Sequence, residues 1–426
     1  MTVLEVDLSA LFVVAVILIW FMTGYQFVLT LFGFMNYVRS LRERKEVGRT
    51  SITYPTCTIL IPAHNEEKVI GQTLESMLRL DYPAELLRIM VINDGSSDRT
   101  REIIEGFSSR DHRVELFDVP KGEGGKGKSR ALNLAFQRVQ SEIVAVYDAD
   151  NTPDAAALRY LVAQLQLHPE VGAVLGKFRT VNKTATLLTR FINIETLSFQ
   201  SMLQAGRWQM HRIATLPGTN FAMRTALIRE LGGWDEQALT EDSELSIRII
   251  QHGYQIKFIP YAITYEQEPQ EWKVWVRQRM RWVRGNNYVI GKFSRQIPRF
   301  ENKRLAFDIL YTLALYYIFF IAILVSDLLF ILSAFSVVSI ALPGPYTFVW
   351  IMAFILYVGE ILLTLSYDRE DTAGNLGLIV VMYFTYCQLW IYIVLKSLWV
   401  EYVKKEKRVW DKTDRFDVQS GRTVNA

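Results

Sequence analysis

The sequence predicts an α/β domain with a mostly parallel sheet, set between helices that cross a membrane. Three observations predict it. Short β-rich runs alternate with helical patterns over residues 55–265, an order that builds parallel strands with helices on both faces. Polar clusters follow the strand ends, where such sheets bind ligands. Long apolar blocks lie on either side of this region.

CTILIPA (57–63) reads as a buried strand. EKVIGQTLESMLRL (67–80) reads as an amphipathic helix, with Val69, Ile70, Leu74, Met77 and Leu78 near helical spacing. RIMVINDGS (88–96) is a strand running into a turn, SRALNLAFQRVQ (129–140) a helix, and EIVAVYDADN (142–151) a third strand ending in acids. The clusters PAHNEE, NDGSSD and DADN therefore fall at the carboxyl edge of the predicted sheet.

Residues 8–38 contain no charged side chain, and about 20 apolar residues suffice to span a bilayer. Glu5 and Asp7 precede the run, which is also too long for a signal-peptide core. RSLRERKEVGR follows, so the chain from about residue 40 onward is expected in the cytoplasm. Three later blocks, 305–341, 346–366 and 375–399, precede a basic tail that is also expected inside. Three spans conflict with that parity. As one helix, 305–341 would run to about 55 Å against a core of about 30 Å. It is expected as a hairpin of two short spans, or as an interfacial helix leading into one span. Asp308 and Asp327 lie within it, either near an interface or as functional intramembrane carboxylates.

Net charge is +3 on 47 basic and 44 acidic residues, too balanced to predict nucleic-acid binding. Cys57 and Cys387 are the only cysteines and the five histidines are scattered. No disulfide framework, cysteine cluster or zinc site is expected.

Each motif has two readings on its residues alone. Asp148-Ala149-Asp150 ends an apolar strand; it holds a hard divalent cation or sits in a solvated loop. Asp94 in NDGSSD accepts from a base or ribose, or belongs to an ordinary turn. GEGGKGKSRALN (122–133) offers backbone amides and Lys126 or Lys128 to a phosphate, or is a surface loop. In Thr240-Glu241-Asp242, Thr240 is an N-cap and the acids complement the helix dipole. Alternatively, Asp242 is a general base. Gln278-Arg279-Met280-Arg281-Trp282 lies on a Trp- and Arg-rich amphipathic helix suited to a membrane surface.

In this order PAHNEE, NDGSSD, DAD, TED and QRMRW resemble the family 2 glycosyltransferases, in particular their processive membrane branch. That branch includes cellulose, hyaluronan, chitin-oligosaccharide and poly-N-acetylglucosamine synthases. The resemblance implies a Rossmann-like GT-A fold and a UDP-sugar donor. It implies that Ala63 and Glu66 lie beside the nucleotide, Asp94 holds the uracil and Lys128 touches the phosphates. Asp148 belongs to the nucleotide site, Asp150 ligates Mg²⁺ or Mn²⁺, and Asp242 is the base beside Glu241. Gly218 and Thr219 of PGTNF line the acceptor site. Gln278, Arg281 and Trp282 flank the diphosphate and acceptor, Trp282 by stacking. Trp410 and Thr413 of WDKTDR resemble the motif of a loop that closes over the nucleotide, although the spacing differs.

The expectation is an inverting, processive enzyme that extends a β-linked polysaccharide from UDP-glucose or UDP-N-acetylglucosamine and secretes it. It would be a multi-pass plasma-membrane protein with its catalytic domain in the cytoplasm. The alternative is a non-processive transferase acting on polyprenyl phosphate; a decayed, non-catalytic scaffold lacks support because every expected acid is present. The expected parts are a membrane helix (1–40), a catalytic domain (41–268), interface helices (269–304), membrane helices (305–400) and a tail (401–426). Partners are the donor, the growing polysaccharide and the bilayer, with room for a small accessory or regulatory membrane subunit and no role for nucleic acid.

Overall fold

The computed structural model describes residues 3–50, 53–335, 337–338, 346–406, 408, 412, 413 and 415. Eight strands form one sheet: β1 (Cys57–Ala63), β2 (Leu87–Asn93), β3 (Val114–Asp118), β4 (Ile143–Val146), β5 (Thr152–Pro153), β6 (Val171–Thr180), β7 (Phe221–Arg224) and β8 (Gln255–Glu266). Their order is β3-β2-β1-β4-β7-β6-β8-β5. The β3-β2-β1-β4 half is parallel, with Ile59 opposite both Ile89 and Ala145. β7 enters antiparallel to β4 and β6, whereas β6 and β8 pair in parallel.

Alternation across β1 explains its continuous apolar run. Cys57, Ile59 and Ile61 pack on one face with α2 (Ile70–Leu78) and α5 (Ala157–Leu167). Leu60 packs on the other with α4 (Lys128–Phe136). Both faces are dry, as expected of a central parallel strand. The predicted strand 142–151 stops at Val146. Beyond it the Asp148 amide bonds to side-chain oxygens of Thr219 (3.0 Å) and Asn151 (3.2 Å) instead of a neighbouring strand. The Asp-Ala-Asp acids therefore lie in the turn past the strand.

The N-terminal segment forms one helix, α1 (Val3–Arg49), with no break at residue 40. Glu43 near its end forms an ion pair with Lys257 and accepts from the Tyr261 hydroxyl at 3.2 Å. Higher up, α1 crosses a helix that runs through α6 (Leu187–Ser198), a π-helical segment (Phe199–Gln204) and α7 (Ala205–His211). The backbones touch there. A Cβ on Gly206 would collide with the Leu29 carbonyl, and one on Gly33 with the Ser201 carbonyl.

Four described helices are long and apolar enough to cross a membrane: Leu8–Arg49, Lys303–Ala334, Phe348–Ser366 and Ala373–Val403. The segment 303–334 is continuous, through α11 (Lys303–Leu313), a π turn and α12 (Phe320–Ala334). Over residues 303–334 the expected hairpin does not form. The segment holds no Gly or Pro, and a π segment absorbs the local irregularity without ending the helix. Asp308 is buried against Arg207, whose Nε donates to it at 2.7 Å. Asp327 accepts from Gln388 at 3.4 Å.

After α13 (Tyr346–Ser366), residues 373–403 break at Thr385 into α14 (Ala373–Phe384) and α15 (Tyr386–Leu398). The stretch starts against the α/β domain, where Glu370, bonded to Asn375, also pairs with Lys183. It ends beside α10 (Trp272–Ser294), with Glu401 3.4 Å from Arg284. The two ends thus lie against Lys183 of the α/β domain and against α10. The loop before α14 is fastened too: Asp368 pairs with buried Lys177 and lies 3.5 Å from Arg179.

Candidate active site

The carboxyl ends of β1, β2 and β4 deliver the first group of residues. Ala63 ends β1, and its carbonyl accepts from the Asp94 amide at 2.8 Å. Asp94 Oδ1 accepts from the Gly125 amide at 2.8 Å, which draws the glycine-rich loop over the β2 turn. Glu66 is buried, its amide donating to Thr100 Oγ1 at 2.7 Å. Burial raises its carboxyl to about 7, although Arg415 and Lys412 oppose the shift.

Lys128, at the start of α4, is the hub of the second group. Its Nζ donates to Asp148 Oδ1 at 2.6 Å and to the Gly218 carbonyl at 2.7 Å, and lies 3.9 Å from Glu241. Burial alone would lower its pKa, but Asp148 and Glu241 outweigh that and raise it. Thr219 closes the ring through its bonds with Asp148 and Asn151. Gly218 has φ +81°, and a Cβ there would stand 3.0 Å from Asp242 Oδ2. Both conformation and space call for glycine.

Asp242 lies in the first turn of α9 (Glu241–Gln251). Thr240 occupies the N-cap position, yet its side chain makes no capping bond. Thr240 therefore does not cap the helix through its side chain, whereas Glu241 and Asp242 do stand in its first turn, where acids complement the dipole. Burial raises the Asp242 carboxyl to about 7, with neighbouring Glu241 adding to the effect and the Ser243 amide opposing it. Burial raises Glu241 as well, against the pull of Lys128. A carboxylate held near neutrality can take a proton at working pH.

Gln278, Arg281 and Trp282 share one side of α10 at i, i+3 and i+4. They line a cavity of about 550 Å³ together with Lys128, Asp148 and Asp242. The cavity continues between the apolar helices past Arg207, Asp308 and Tyr311 to Phe320 and Trp390. Burial lowers the Arg281 pKa, with Glu241 and Asp148 opposing.

Ala63, Glu66 and Asp94 do not line this cavity; the tail stands between the two groups. Lys412 bonds the Asn65 carbonyl and lies 3.3 Å from Glu66. Thr413 Oγ1 lies 3.5 Å from Arg281. Arg415 Nη1 lies 3.0 Å from Asp150 Oδ2 and 3.2 Å from the Gln267 carbonyl. Trp410 lies outside the described residues. Lys412 and Arg415 were not singled out from sequence, where they read only as part of a basic tail. Glu195 and Arg279, which also line the cavity, were missed as site residues too.

The acids suit a hard divalent cation in one respect. Asp150 Oδ1 is buried and has no hydrogen-bond partner among the described residues. Burial raises this carboxyl, against the nearby Arg415. The described residues contain no cluster of three or more His, Cys, Asp or Glu side chains that would cage an ion unaided. Two carboxylates would leave positions for ligand oxygens.

Residues 55–285 match the family described as "Glycosyltransferase like family 2". The chain is 45% identical over 413 residues to the probable glycosyltransferase YdaM of Bacillus subtilis, covering 96% of this chain and 98% of that protein. It is 31% identical over 253 residues to the poly-beta-1,6-N-acetyl-D-glucosamine synthase of Staphylococcus epidermidis, covering 59% of each. In fold it matches the mannosyltransferase PcManGT of Pyrobaculum calidifontis, solved with GDP-Man and Mn²⁺. That match has a TM-score of 0.58 and 20% identity, over 87% of this chain and 99% of that one. With its GT-A sheet, its acids past the strand ends and its flanking apolar helices, the chain belongs to glycosyltransferase family 2.

Proposed function

We propose that this enzyme extends a β-linked polysaccharide processively from a UDP-sugar, inverting the anomeric centre at each transfer. The observation that carries this reading is the continuous cavity from Asp242 and Trp282 to Phe320 between the apolar helices. A growing chain needs such a path beyond the transfer site. Similarity to the Staphylococcus synthase favours UDP-N-acetylglucosamine over UDP-glucose.

Asp242 takes the proton of the acceptor hydroxyl as its oxygen attacks the anomeric carbon and UDP departs. Charge then develops on the leaving diphosphate, where Lys128 and Arg281 stabilise it. Asp94, Ala63 and Glu66 hold the nucleoside end. Gln278 and Trp282 hold the acceptor sugar, with Gly218, Thr219 and Glu241 shaping its pocket. Asp150 would hold Mg²⁺ or Mn²⁺, which would supply positive charge to the diphosphate, and Asp148 belongs to the nucleotide site beside Lys128. Thr413, with Trp410, belongs to a tail segment that closes over the nucleotide.

The proposed orientation puts the catalytic domain and tail in the cytoplasm of a multi-pass membrane protein. Three crossings satisfy it, because residues 373–403 start and end on the catalytic side. The test is to incubate the purified protein with UDP-N-acetylglucosamine or UDP-glucose plus Mg²⁺ or Mn²⁺. The product is then sized and digested with linkage-specific hydrolases. A long β-linked polymer is expected. Transfer of a single sugar to polyprenyl phosphate, with no polymer, would overturn the reading.

A further inference from the structure

Arg279, inside the QRMRW motif, is 1% exposed although it lies on a largely amphipathic helix. Its Nη2 donates to Glu195 Oε2 at 2.6 Å, across 84 residues of sequence. Its Nη1 donates to Gln278 Oε1 at 3.0 Å. Its guanidinium carbon lies 3.9 Å from the centroid of the Trp282 ring. One buried cation therefore touches two of the other three motif residues that line the cavity.

Glu195 is itself held. It accepts from Tyr386 Oη at 2.8 Å and from Trp390 Nε1 at 2.9 Å. Trp275 Nε1 donates to the same Tyr386 hydroxyl at 3.0 Å. The anchor thus draws on α6, α10 and α15 at once. Trp282, by contrast, is 36% exposed and lines the cavity. The Arg279 guanidinium lies over one face of this ring.

We propose that Arg279, anchored by Glu195, is a positioning residue that sets the Trp282 ring and the Gln278 amide for the acceptor sugar. This rests on the reading that Trp282 binds the acceptor. Lysine cannot replace it: an ammonium is a point charge and lacks the planar fork that bonds sideways while stacking flat. A rotated ring or a displaced Gln278 amide holds the acceptor sugar less tightly, and a tenfold loss of affinity needs only about 1.4 kcal/mol.

The test compares wild type with Arg279→Lys, Glu195→Gln and Trp282→Ala. UDP-N-acetylglucosamine is the donor and a short β-linked N-acetylglucosamine oligosaccharide the acceptor. Arg279→Lys and Glu195→Gln should raise acceptor KM about tenfold or more and shorten the product, while donor KM stays at its wild-type value. Glu195→Gln keeps side-chain volume and serves if the Arg279 variant does not fold. Wild-type acceptor KM and product length in Glu195→Gln or a folded Arg279→Lys would overturn the proposal. So would donor and acceptor KM rising in parallel with a loss of thermal stability, the sign of a structural role alone. If Trp282→Ala leaves acceptor KM unchanged, the acceptor reading itself fails; if only Trp282→Ala raises it, the positioning role alone fails.

Discussion

Arg415 Nη1 lies 3.0 Å from Asp150 Oδ2, so a cation of the chain itself sits on the carboxylate proposed to hold a metal. The two positive groups compete for one oxygen. Arg415→Ala should therefore bind Mn²⁺ more tightly than wild type in the absence of nucleotide, by a few-fold. Calorimetric titration checks this, and equal affinities would show that the tail yields the carboxylate at no cost.

Asp242→Asn should lower transfer by about a hundredfold to ten-thousandfold while UDP binding persists. Because the carboxyl titrates near 7, wild-type rate should climb as pH rises through that value. The sign for stability is opposite. The folded pKa of about 7 exceeds the unfolded value near 3.9. The folded state then binds the extra proton in that interval, and stability falls as pH rises from about 4 to about 7. Asp242→Asn should melt higher than wild type at pH 8 and closer to it at pH 5, by scanning fluorimetry.

Lys177 and Asp368 form a buried pair between the sheet and the loop ahead of α14. Asp368→Ala leaves Lys177 buried, with loss of about 3–5 kcal/mol. Joint replacement, Lys177→Met with Asp368→Leu, should recover most of it, since apolar side chains of similar volume often match a buried pair. Melting temperatures of the single and double variants decide this.

Gly206 faces the Leu29 carbonyl with no room for a Cβ. Gly206→Ala should destabilise by about 1–3 kcal/mol through overpacking. Gly24, whose added Cβ meets nothing within 4 Å, should accept alanine with no comparable loss of melting temperature.

The parallel half of the sheet was legible because burial on both faces makes β1 and β2 continuous apolar runs. The acids were legible because they follow those runs. β7 was not: four residues, FAMR, carry too little periodicity to announce an antiparallel insertion. The break at Thr385 has no Gly or Pro beside it, so 375–399 looked like one span. Glu195 was invisible because its partners, Arg279, Tyr386 and Trp390, are supplied by distant elements. The cation on Asp150 escaped notice for a similar reason: a basic tail says nothing of what it reaches.

The unbroken α1 has a mechanical corollary. A helix of 47 residues is about 70 Å of stiff rod. Glu43 near its foot grips Lys257, and Gly33 locks its shaft to the π segment after α6. Such a stanchion fixes the distance between the sheet and the apolar helices. In the proposed polymerising reaction, successive sugars would then not be advanced by the whole domain bobbing up and down. The stroke would be local, at the scale of one ring leaving Trp282 and the next arriving.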